Sequence, residues 1–91
     1  MAAPAEPQPD ERGIAFLLRE LRIALGLTVT QWANETGFGE RTIESWELGE
    51  IEPRVSSLLH VREVLQRPAY RRRLQLHMPD LVVRLEGARL W

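Results

Sequence analysis

Glycine and proline punctuate this chain at short intervals, at Gly26, Gly37, Gly49, Pro53, Pro68 and Pro79. Each residue type marks a helix boundary. Glycine accepts the left-handed conformation just past a helix end, and proline is tolerated in a first turn. The segments between them carry apolar side chains three and four residues apart, as in Ile14, Leu17, Leu18, Leu21 and Leu25. That spacing is the mark of a helix with one buried face. Such punctuation permits short helices packed against one another, and a length of 91 residues permits one core and no more.

The boundaries follow from local chemistry. Residues 1–9 (MAAPAEPQP) are proline-rich without a periodic apolar face and predict a disordered leader. Asp10, followed by Glu11, is the expected N-cap of a first helix that Gly26 closes. Thr28 and Gln31 have the spacing of a capping box, so a second helix begins there, turns Trp32 and Ala33 inward and stops at Gly37. A third runs from about Glu40 to Leu48 with Ile43 and Trp46 on its inner face, and Gly49 ends it. A fourth follows Pro53 over roughly 55–66, and Pro68 opens a fifth that reaches His77 before Pro79. Beyond Pro79, Leu81, Val83 and Leu85 alternate and Glu86-Gly87 resembles a tight turn, which favours a short hairpin. A helical stripe on Leu81, Leu85 and Ala88 is the alternative.

Composition narrows the chemistry. With no cysteine there are no disulfides, thiolate metal sites or thiol nucleophiles, and the separated His60 and His77 make a metal centre improbable. The sequence holds no run of about 20 apolar residues of the kind a membrane span needs, and no export signal. There is no glycine-rich phosphate loop and no Ser/His/Asp arrangement. The expectation is a cytoplasmic binding module without cofactor, not an enzyme. The net charge of −1 conceals a polarity: residues 28–65 carry −4 and residues 66–91 carry +4, with every basic residue an arginine.

The informative segment is Thr28–Gly49, TVTQWANETGFGERTIESWELG. Ala33 lets two helices cross closely, Gly37 four residues later supplies a sharp turn, and Ile43 six residues after that locks the second helix on the first. With LRELRIALGL (18–27) upstream and TIESWELGE before Pro53 downstream, residues 18–65 resemble the lambda-repressor-like (Xre-type) helix-turn-helix family. The resemblance implies an all-α, five-helix DNA-binding fold, with the helix-turn-helix domain over 10–67 and the fifth, Arg-rich helix and a tail over 68–91. It implies a dimer on a palindromic operator, with the helix after Gly39 entering the major groove. The contacts carried over to this sequence are Thr28, Thr30, Gly39, Glu40, Arg41, Thr42, Glu44, Ser45 and Arg54. Arg41 would address guanine and Glu40 cytosine, while the start of the second helix and Arg54 would meet phosphates. Arg22 and Glu47 match the family's ion pair between the first helix and the end of the recognition helix.

Three features depart from the family pattern. Val29 stands where a phosphate-clamping glutamine is usual, and Arg54 stands where a Ser or Thr N-cap is usual. Glu35, Glu40, Glu44, Glu50 and Glu52 crowd the expected reading face, and each unpaired carboxylate near phosphate costs on the order of 1 kcal/mol. The expected function is a double-stranded-DNA-binding repressor of prokaryotic or phage type, including an antitoxin-type autorepressor. The alternative is a scaffold turned to protein binding through its acidic helix. In either case Arg71, Arg72, Leu81, Val83, Leu85, Leu90 and Trp91 are expected to make the homodimer or toxin contact, because so many apolar side chains would otherwise be exposed.

Overall fold

The computed structural model describes residues 13–91, which form six α-helices: α1 (Ile14–Ala24), α2 (Val29–Thr36), α3 (Glu40–Glu47), α4 (Val55–Leu65), α5 (Pro68–His77) and α6 (Pro79–Gly87). The protein is all-helical over these residues. The expected leader 1–9 and Asp10 lie outside them. Gly13 occupies the N-cap of α1 in place of Asp10, with extended backbone and no side-chain cap bond.

The helices α2 to α5 follow their sequence signals. The capping box at α2 is complete: Thr28 Oγ1 accepts from the Gln31 N–H at 3.1 Å, and Gln31 Oε1 accepts from the Thr28 N–H at 2.9 Å. Gly37 ends α2 at φ +83°, and a Cβ there would touch nothing within 4 Å. Backbone conformation alone therefore favours glycine, since other residues adopt the left-handed region only at a cost. Pro68 opens α5 at its first turn.

One core joins all six helices. Leu17, Leu18 and Leu21 of α1 meet Trp32 and Ala33 of α2, Ile43 and Trp46 of α3, and Val61, Val64 and Leu65 of α4. Leu74 of α5 and Leu81, Val82 and Leu85 of α6 belong to the same cluster. Pairwise, α1 packs on α3 and α6, α2 on α3 and α4, and α5 on α6. Residues 68–91 are thus part of the body of the molecule.

The segment after Pro79 corrects two expectations. It is a helix, not a hairpin, and the helix count among the described residues is six, not five. Alternation would have buried Leu81, Val83 and Leu85 together. The helix instead buries Leu81, Val82 and Leu85 and leaves Val83 66% exposed. Pro79 starts the helix, with Asp80 in its first turn where the helix dipole favours an acid. Glu86-Gly87 is not a turn: the reversal falls at Arg89, at φ +60°. The Arg89 N–H donates to Glu86 O at 3.0 Å and the Leu90 N–H to Leu85 O at 2.8 Å, the double bond pattern of a left-handed helix terminus. α1 and α3 end on the same pattern at Gly26 and Gly49. Arginine in this conformation costs about 1–2 kcal/mol, and the turn carries Leu90 into the core at 1% exposure.

The tail contact expected from sequence also needs revision. Leu81, Leu85 and Leu90 are buried by the chain itself, so they offer no surface to a partner. Trp91 is half-buried, with the Arg71 guanidinium 5.2 Å from its ring centroid. Of the expected contact set, Val83, Arg71 and Arg72 are exposed.

Candidate functional site

The α2–turn–α3 unit presents one helix outward. α3 buries Ile43 and Trp46 against the core, three residues apart, and its opposite side leaves Glu40, Arg41, Thr42 and Glu44 exposed. Ser45 is half-buried and Gly39 is the exposed N-cap. Phe38, in the turn, packs edge-to-face on Trp46 at 4.8 Å between ring centroids and on His60 at 5.4 Å. His60 Nε2 lies 2.6 Å from the Thr36 carbonyl, which ties α4 to the end of α2. With the carbonyl as acceptor, that ring nitrogen carries the proton.

The other end of α3 is fixed by Arg22. Its Nε donates to Glu47 Oε2 at 2.8 Å and its Nη2 to Glu47 Oε1 at 2.9 Å, a two-pronged pair. Its Nη1 donates to the Leu27 carbonyl at 2.9 Å. One guanidinium thereby joins α1, the α1–α2 loop and the end of α3, with side-chain exposures of 14% for Arg22 and 8% for Glu47. The hydrogen bonds to Glu47 raise the Arg22 pKa, partly opposed by burial. The pair is internal and does not face outward with Arg41.

The remaining expected contacts fall into two groups. Arg41 and Arg54 are exposed and form no ion pair among the described residues. Thr28 and Thr30 are already engaged: Thr28 in its capping box, and Thr30 through a hydroxyl that donates to Glu40 Oε1. The Thr30–Glu40 bond links the N-termini of α2 and α3 and occupies one oxygen of the acid expected at a base edge. The capping box occupies the Thr28 and Gln31 N–H groups, so the first-turn donors of Val29 and Thr30 are the ones left for an anion. Val29 is half-buried against the core, which accounts for an apolar residue at that position.

Several contacts had no sequence signal. Arg67 on the α4–α5 connection pairs with Glu35 at 2.5 Å and also donates to the Glu35 carbonyl at 3.2 Å. Nearby, burial and then the Glu35 carboxylate raise the Tyr70 phenol pKa, against the opposing Arg67 charge. Arg73 donates to the Ala24 carbonyl at 3.0 Å, at the C-terminus of α1. Arg84 Nη2 lies 2.6 Å from Glu20 Oε2, a close ionic contact outside hydrogen-bond alignment. Arg71 donates to Gln66. Four of the arginines in the basic third of the chain are therefore engaged internally.

No helix among the described residues is long and apolar enough to cross a membrane. Comparison of the chain with protein-family models, with curated proteins and with solved structures gives no match in any of the three.

Proposed function

We propose that this protein is a sequence-specific DNA-binding regulator with a lambda-repressor-like helix-turn-helix, acting as a dimer and repressing by occupying its operator. The observation that carries the reading is the placement of α3. One of its sides is locked by Ile43, Trp46 and the Arg22–Glu47 pair, and the other stands in solvent with Arg41 free. A short rigid helix with an exposed first turn is the element that enters a major groove. An antitoxin-type autorepressor is one form of this function.

The second reading, docking of a basic protein on α3, is favoured by the exposed Glu44, Glu50 and Glu52. A selection from a random duplex pool separates the two. Enrichment of a palindromic motif supports DNA reading. Arg41→Ala should then weaken binding to that motif by roughly 1–3 kcal/mol and relax preference at one base pair. Arginine substitution of Glu40 and Glu44 should raise nonspecific DNA affinity if this face meets DNA. A pool that yields no motif, with wild-type affinity insensitive to Arg41, removes the DNA reading.

A further inference from the structure

The apolar side chains that the tail withholds are found elsewhere. Leu48 (72% exposed), Ile51 (59%), Val55 (73%) and Leu59 (52%) lie within twelve residues, from the end of α3 through the connecting loop to the first half of α4. Val55 and Leu59 are one turn apart on the same side of α4, and Arg62, also exposed, continues that line. A cluster of large apolar side chains at this exposure, rimmed by charge, marks an interaction surface.

We infer that this strip is the face on which two copies of the chain meet, with their α4 helices antiparallel. The inference deepens the dimeric part of the proposed function and rests on it. A second copy is the occupant because the strip carries its own complement. Glu50 and Glu52 stand in the loop before α4, and Arg62 stands in its last turn. A two-fold axis through the middle of the Val55–Leu59 pair lays Val55 of each copy over Leu59 of the other. The same axis brings the last turn of each α4, with Arg62, to the loop before α4 of the other copy, where Glu50 and Glu52 stand. Ile51, in the loop with Glu50 and Glu52, adds exposed apolar surface before the start of α4. Arg62 has no ion pair within its own chain among the described residues. A parallel arrangement would set acid against acid and arginine against arginine. The strip is small beside a standard interface, so association is concentration-dependent.

Sedimentation velocity of the full chain over a concentration series tests this. The wild type should dimerise. The double variant Val55→Glu, Leu59→Glu should self-associate at least about tenfold more weakly, with an unchanged thermal melt at concentrations where both chains are monomeric. Val55→Ser with Leu59→Ser serves the same purpose if the glutamate variant is unfolded. Glu52→Arg and Arg62→Glu should each weaken the dimer, and together restore it. A wild type monomeric throughout, a dimer indifferent to the apolar variants, or single charge reversals that the double variant does not rescue would each overturn the inference. A dimer that behaves as described but selects no duplex leaves the interface standing and removes the DNA reading. A monomer that selects a half-site does the reverse.

Discussion

Arg22 illustrates how much of this fold depends on single polar side chains. Its removal strands the Glu47 carboxylate at 8% exposure and unpairs the Leu27 carbonyl. Arg22→Ala should therefore cost about 3 kcal/mol in urea unfolding, the scale for stripping one partner from a buried pair. Glu47→Ala should cost a similar amount, and the double variant less than the two combined, because the second change removes the stranded charge. Additive losses would mean that the two residues act independently. The pair was legible in the sequence because it came with a motif that fixed both ends. The Thr30–Glu40 bond was not, since two exposed polar residues ten positions apart carry no periodic signal. Arg89 was equally hidden: a left-handed turn normally announces itself with glycine, and here glycine sits two residues early, at Gly87.

Among the elements, α2 to α5 were readable chiefly from their breakers, Gly37, Gly49, Pro53, Pro68 and Pro79, with a side-chain cap at α2 alone of the four. α6 was ambiguous because Leu81 and Leu85 satisfy both a two-residue and a four-residue period. Only the neighbouring Val82, buried beside them, decides for a helix. Truncation before Pro79 consequently tests stability before it tests association. It strips Leu81, Val82, Leu85 and Leu90 from the core and leaves Leu74 and the face of α1 without cover. Each lost leucine in a core is worth about 2–5 kcal/mol. The shortened chain should therefore lose its cooperative thermal transition. A truncated chain that still melts cooperatively near the full-length temperature would show that α6 is dispensable to the core.

Across the whole molecule, formal charge is a poor guide to the charge available for binding. The basic third of the sequence carries +4, yet Arg67, Arg71, Arg73 and Arg84 are held by Glu35, Gln66, the Ala24 carbonyl and Glu20. Near α3 the exposed cations are Arg41, Arg19 of α1 beside Glu44, and Arg54 in the following loop. A dimer that contacts phosphates through these residues should show a log–log salt dependence no steeper than about −5. Fluorescence anisotropy on the selected duplex, titrated with salt, measures that slope. A much steeper value would locate a cationic DNA face away from α3. The bonds that α5 and α6 make to α1 also order events in time. Glu20 and Arg84 are 64 residues apart, so at ordinary rates of translation the first helix waits roughly 3 to 13 s for its last partner. During that interval the nascent chain carries an uncovered apolar face, and a chaperone able to shield it would find its client before release from the ribosome.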